Sequence, residues 1–173
     1  KLSLSTPSEQ ARLLRLHEAE RDFTVSTSVP DVIAEWAERS PEGIAIVCEK
    51  DRLTYRELND KANRLAHYLL SKGIGTESMV AVCLDPSLDL IVSILAVLKS
   101  GAAYVPLDPS YPVERLSLIL DDCRAPILIT TSRVGELLGD RDALEAILLD
   151  ADDPQITRCS AENPVSKLQP ESL

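Results

Sequence analysis

The sequence predicts an α/β fold: a parallel or mixed sheet covered by helices on both faces. Two observations carry this. Short apolar runs alternate along the chain with segments whose apolar residues recur at helical spacing. One run, Met79 to Leu84, is apolar at every position, as a central strand covered on both faces should be. Such alternation builds parallel sheets through helical crossovers. No repeat of fixed period competes with it.

In chain order, Ser8 to Glu20 reads as a helix with Leu13, Leu14 and Leu16 as its apolar content. A polar stretch follows, with Phe23 and Val25 as anchors, so residues 1–28 read as a linker arm lying on a domain that fills 29–173. Ser28 can cap a helix from Val29 to about Arg39, closed by Ser40-Pro41-Glu42-Gly43. Ile44 to Cys48 is a strand, Glu49-Lys50-Asp51 a turn, and Arg52-Leu53 a short second strand.

Thr54-Tyr55-Arg56-Glu57 fits a capping box, in which the Thr hydroxyl accepts from the Glu amide and the Glu carboxylate reaches back. The helix it opens carries Leu58, Ala62, Leu65, Ala66 and Leu69 on one face and ends at Gly73. His67 falls opposite that stripe and is expected to be exposed. Met79 to Leu84 is the central strand. Leu88 to Leu98 reads as a helix, given its length and its Lys99-Ser100-Gly101 exit, and it is apolar enough to be covered on both sides.

Ala103 to Leu107 is a strand ended by Asp108-Pro109. Pro112 suits the first turn of the next helix, which presents Leu116, Ile119 and Leu120. Ile127 to Thr131 is a strand, Val134 to Leu138 a short helical turn, and Ala146 to Leu149 a last strand. From Asp150 onward, Pro154, Pro164 and Pro170 with polar spacers read as an irregular tail.

Composition narrows the functional classes. A net charge of −10 with no basic stripe disfavours nucleic acid and anionic membrane as partners, since phosphate binding needs clustered Lys and Arg. The longest apolar stretch, Leu90 to Leu98, is too short to span a bilayer. Cys48, Cys83, Cys123 and Cys159 lie far apart, without the close spacing of zinc or redox motifs. They are expected to be reduced thiols in a cytoplasmic protein. Lys1-Leu2-Ser3-Leu4 lacks both a Met start and a signal-peptide pattern, which points to an internal segment of a longer chain.

Two runs carry a resemblance. Leu53-Thr54-Tyr55-Arg56-Glu57-Leu58-Asn59 resembles the first core motif of nonribosomal peptide synthetase adenylation domains. Leu98-Lys99-Ser100-Gly101-Ala102-Ala103-Tyr104-Val105-Pro106-Leu107-Asp108, continued by Pro109 to Leu116, resembles the second. The first run is shared with acyl-CoA synthetases and luciferases of the same superfamily, whereas the second favours the peptide-synthetase branch over an acyl-CoA or aryl-acid ligase. The resemblance covers roughly residues 20 to 173, and Leu2 to Asp22 looks like the linker from a preceding condensation domain.

By this resemblance the fold is part of the large N-terminal subdomain of an adenylate-forming enzyme. The parent is implied to activate an amino acid with Mg·ATP and to load it on the phosphopantetheine thiol of a carrier domain. Its partners are then the remainder of the adenylation domain, an upstream condensation domain and a downstream carrier domain. Gln169-Pro170-Glu171-Ser172-Leu173 looks like the segment just before the family's phosphate-binding loop. That loop, the amino-acid pocket, the ribose-binding Asp and the catalytic Lys are therefore expected outside this stretch. No catalytic, cofactor-binding or metal residue is carried over, and the segment alone is expected to be inactive.

There is one notable departure. Asp85-Pro86-Ser87 stands where the family usually has an acidic residue, Arg and Ser, so an ion pair of that Arg is lost. This motivates an alternative reading: a vestigial adenylation domain serving as a non-catalytic spacer or docking platform.

Other tempting features have plainer readings. Gly73-Ile74-Gly75 follows a helix, whereas a dinucleotide loop precedes one. Asp121-Asp122 and Asp150, Asp152 and Asp153 lack the spacing of a calcium loop and read as a solvated acidic edge. His17 has no Asp or Cys at relay spacing. Asp108, Ser110 and Tyr111 lie at the end of a strand, where α/β proteins often bind ligands, but a rigid Asp108-Pro109 turn against which Tyr104 packs explains them as well.

Overall fold

The computed structural model describes residues 28–139, 141 and 144–165. The helix expected at Ser8–Glu20, the rest of the arm and the final residues lie outside that set.

Helix α1 (Val29–Arg39) opens on Ser28, whose hydroxyl accepts from the Asp31 amide while the Asp31 carboxylate accepts from the Ser28 N–H. Strands β1 (Ile44–Cys48) and β2 (Asp51–Thr54) pair antiparallel as a hairpin and form a sheet of their own. Helix α2 (Tyr55–Ser71) starts on the anticipated capping box. The Thr54 hydroxyl accepts from Glu57 N at 3.2 Å, and the Glu57 carboxylate accepts from Thr54 N at 2.8 Å. Gly73, at φ 84°, turns the chain so that the Ile74 amide reaches back to the Leu69 carbonyl at 3.1 Å.

Strand β3 (Met79–Cys83), helix α3 (Leu88–Lys99) and strand β4 (Ala103–Leu107) form the first crossover unit. Gly101, also at φ 84°, ends α3 in the same manner, with Ala102 N donating to the Val97 carbonyl. Helix α4 (Val113–Cys123), strand β5 (Ile127–Thr130), helix α5 (Ser132–Leu138) and strand β6 (Glu145–Leu148) follow, then the short helix α6 (Asp153–Thr157).

The four strands of the main sheet run in the order β4-β3-β5-β6, every pair parallel. Strand β4 is therefore an edge. That is why Pro106, with no N–H to donate, is tolerated opposite Val82. Side chains alternate across the sheet and divide the interior into two cores. Val80, Val82, Ile127, Ile129 and Ile147 pack with α2 and α3 through Leu65, Leu69, Ala96 and Val97. Ala81, Cys83 and Leu128 pack with Leu116 and Leu120 of α4 and with Val134 of α5. Both faces are thus covered, as the all-apolar β3 requires.

Three expectations need correction. Pro112 is the residue before the first helical turn, its ψ of 144° already extended. Helix α3 buries Val92, Leu95, Ala96 and Val97 but leaves Ile91 41% exposed, so it is not covered all round. The stretch after Asp150 is not simply irregular: α6 forms there, and residues 157–163 lie against the polar side of α2. The Pro-rich composition hid this, because the partners are side chains far away in sequence.

Candidate functional site

Two places in the fold concentrate polar chemistry. The first is the carboxyl end of the main sheet, where β3, β4 and β5 deliver Asp85, Asp108 and Thr130. Thr130 is fully buried and donates its hydroxyl to the Cys83 carbonyl at 2.8 Å, joining the ends of β3 and β5. Asp108 is turned back on its own loop. Its carboxylate accepts from the Ser110 backbone at 2.8 Å, and Ser110 holds it below the ordinary carboxylate range. Tyr111 stacks under the Arg115 guanidinium at 4.0 Å, and Tyr104 sits one residue into β4, 39% exposed. Asp85 pairs with Arg133 at 3.3 Å, both largely exposed, so the acidic residue before Pro86 does find a cation, on α5. Ser87 keeps a capping role, accepting from Leu90 N at 3.2 Å. Burial pushes the Cys83 thiol up to about 11, so it is an inert core group.

The second place is an amide cluster around the buried Lys99, in which Asn59 and Asn63 are buried and Asn163 closes the exposed side. This lysine is 6% exposed at the end of α3, where the apolar run delivers its side chain into the domain. Its Nζ donates to Asn59 Oδ1 at 2.9 Å and to Asn163 Oδ1 at 3.1 Å. Asn163 Oδ1 also accepts from Asn59 Nδ2 and Asn63 Nδ2, each at 3.1 Å. Asn63 Nδ2 donates further to the Ala161 carbonyl at 2.6 Å, while Asn63 Oδ1 is buried without a partner. Among the described residues no carboxylate pairs with Lys99, and desolvation lowers its pKa to about 8. A recess of about 290 Å³ opens beside it, rimmed by Asp31, Glu35 and Glu38 of α1.

The same face of α2 holds the neighbouring chain. Arg64 donates to the carbonyls of Thr157 and Cys159, the latter at 3.0 Å. His67 Nε2 lies 3.0 Å from the Glu162 carbonyl, so that nitrogen carries the proton. His67 is consequently half-buried, not exposed as expected. Sequence reasoning named Asn59 and Lys99 only as members of the two motif-like runs, and it missed Asn63, Arg64 and Asn163. One signal was available: two Asn at i and i+4 inside a helix, where that residue type is disfavoured unless its amide has work elsewhere.

The acidic residues near the sheet are committed to the backbone. Asp150 accepts from Ser132 N at 2.9 Å, which holds it below its usual range, and Asp152 accepts from Leu148 N at 2.8 Å. Asp121 is paired with Arg141. Among the described residues no three His, Cys, Asp or Glu side chains converge on a point, and no helix is long and apolar enough to cross a membrane. All four cysteines are free. These donor sets do not fit Mg·ATP.

Comparison with known proteins gives matches over most of the chain. The family of AMP-binding enzymes matches residues 33–172. A dimodular nonribosomal peptide synthase of Bacillus subtilis is 38% identical over 164 residues, which is 94% of this chain and 7% of that protein. A crystal structure of the nonribosomal peptide synthetase FmoA3, with α-methyl-L-serine-AMP bound, superposes with a TM-score of 0.72. It is 27% identical and covers 79% of this chain and 15% of that one. The N-terminal subdomain of Klebsiella oxytoca NpsA, in complex with 3-hydroxyanthranilyl-AMSN, gives a TM-score of 0.66 at 26% identity, covering 80% of this chain and 35% of that one. The chain spans 2–3% of the length of the linear gramicidin synthase proteins of Brevibacillus parabrevis that it matches.

Proposed function

Because this chain belongs to the AMP-binding enzyme family, as the N-terminal part of a nonribosomal peptide synthetase adenylation domain, we propose that its parent activates an amino acid with Mg·ATP. The product is an aminoacyl adenylate, and the acyl group then passes to a phosphopantetheine thiol on a carrier domain. In this reading residues 29–173 supply scaffold and not reacting groups, while residues 1–28 link to an upstream condensation domain. The remainder of the adenylation domain and the carrier domain are the other partners, and the cytoplasm is the setting.

One observation supports this reading above the others: the two motif-like runs fold as connected structure. Thr54 and Glu57 of the first cap α2, and Lys99 of the second bonds Asn59 of the first at 2.9 Å. Their side chains are spent on building the domain, which fits a scaffold role beside chemistry performed elsewhere in the parent. Mg·ATP would supply the adenylyl group that makes the amino acid reactive, with pyrophosphate leaving, and the groups holding it lie, in this proposal, in the rest of the adenylation domain. Incubating the full-length synthetase with Mg·ATP and amino acids, then weighing its carrier domain by mass spectrometry, tests it. An aminoacyl thioester is the expected product. A carrier never loaded through this domain would favour the spacer or docking role.

A further inference from the structure

Residues 157–163 run across α2 with their carbonyls held chiefly by side chains. Arg64 takes Thr157 and Cys159, Asn63 takes Ala161, and His67 takes Glu162. Asn163 then inserts its amide oxygen among three donors, from Asn59, Asn63 and Lys99. The chain is thus a strap on a seat built from one helix face and one lysine. Past it, Pro164 lines the recesses on either side of the crossing, and Val165 is 89% exposed.

The seat is specific in register. Donors from Arg64, Asn63 and His67 meet the carbonyls of Thr157, Cys159, Ala161 and Glu162, so a slip of one residue would unpair several at once and strand the buried Asn63 amide, at a cost greater than a hydrogen bond returns. Lys99 locks that register because it is the one member of the seat not on α2. It ties the strap to the end of the helix that leads into β4. Asn163 is itself exposed, yet one amide oxygen shared by donors from Asn59, Asn63 and Lys99 fixes where its side chain sits.

We infer that Lys99 is a positioning residue, which through Asn163 fixes the strap on α2, and that the parent's hold on ATP depends on that placement. The inference rests on the adenylation activity proposed above. It also gives the two motif-like runs a joint task, since Asn59 belongs to one and Lys99 to the other.

Lys99→Met, Asn163→Ala and Asn163→Asp in the full-length synthetase test this. Hydrogen exchange reads the strap through its protected amides, among them Cys159 N on the Ile156 carbonyl at 3.0 Å and Glu162 N on the Ser160 hydroxyl at 3.1 Å. Lys99→Met and Asn163→Ala should speed exchange in a peptide spanning 157–165 by about tenfold, with β3 and β5 unchanged, because the strap opens locally. Asn163→Asp keeps an oxygen acceptor for the lysine and should stay near wild type. Exchange unaltered in the strap, or raised equally in β3 and β5, would overturn the seat. Amino-acid-dependent pyrophosphate exchange with the pooled proteinogenic amino acids reads the positioning. The first two variants should raise the ATP KM about tenfold with kcat within about twofold, a loss of binding rather than of chemistry. An unchanged KM with a loosened strap would overturn the positioning role. A wild-type synthetase silent in this assay would sink the adenylation reading and the positioning role with it, leaving the seat to be judged by hydrogen exchange.

Discussion

Lys99 and Asn163 stand 64 residues apart in sequence, and their side chains meet at 3.1 Å, the lysine buried and the asparagine at the surface. The lysine is charged where the surroundings are poor in water, and amide oxygens are its only bonded partners among the described residues. That combination makes the pair a measurable feature of the fold.

The pH dependence of stability should carry its signature. The folded-state pKa of Lys99 is lowered from 10.5 to about 8, with desolvation as the main cause and Asp31 opposing it. Asp31, Glu35 and Glu38 face the recess beside it, and Asn59 and Asn163 are neutral. A lowered lysine pKa means the unfolded chain binds more protons between the two values, so stability rises with pH across that window. The charged form is therefore a full burden below about pH 8. Wild type should gain urea resistance relative to Lys99→Met between pH 7.5 and pH 10 (about the lower and upper edges of the shift). The Cys83 thiol, raised to about 11, weighs on both proteins alike and cancels in the difference. A difference that stays flat, or reverses, would show that Lys99 is not desolvated.

Thr54→Ala should destabilise the domain by about 1 kcal/mol, through loss of one half of the capping box. Thr54 donates its backbone N–H to the Glu57 carboxylate at 2.8 Å, and its hydroxyl receives the Glu57 amide at 3.2 Å. The midpoint of urea unfolding measures this. In the full-length parent the turnover of folded enzyme should not change. An unmoved midpoint with a large loss of turnover would make Thr54 a site residue.

Apolar surface on the isolated chain should be sticky. Ile44 and Val47 of β1 are 48% and 65% exposed, and β1 packs on α3, where Ile91 is 41% exposed. Exposed apolar groups gathered in one region usually mark a surface that meets another element. The 173-residue chain should bind a hydrophobic dye while folded or self-associate in sedimentation, and Ile91→Asp should reduce both. A dye-silent monomer would show that this surface needs no cover.

Truncating the centre of the sheet sets the scale for these effects. Ile129 is fully buried, on the strand between β3 and β6. Ile129→Ala should cost about 2–5 kcal/mol, from lost transfer energy plus the cavity left behind. A cost near that of Thr54→Ala, read from the same urea curves, would contradict the core assignment.

The local grammar of this fold was legible in the sequence. Ser28 and Thr54 cap helices, Gly73 and Gly101 close them, and the all-apolar Met79–Cys83 strand lies inside the sheet. Each of those features is decided by residues a few positions apart. The Lys99 seat was not legible, because its bonds join residues 40 to 104 positions apart. Nothing near Asn163 says that its amide oxygen will take three donors, and Pro164 beside it reads as a loop. His67 was misplaced for the same reason. Its helix face is polar because a strap covers it, whereas spacing alone makes any polar face look solvated.

The central claim is that this domain belongs to an amino-acid-activating enzyme and that its own residues build scaffold rather than perform chemistry. Amino-acid-dependent exchange of labelled pyrophosphate into ATP, run side by side on the full-length synthetase and on the 173-residue chain, tests it most directly. The full-length protein should exchange with at least one amino acid, and the isolated chain should not rise above a protein-free control. Exchange by the isolated chain would contradict the scaffold assignment, and silence of the full-length protein with every amino acid offered would contradict the activity.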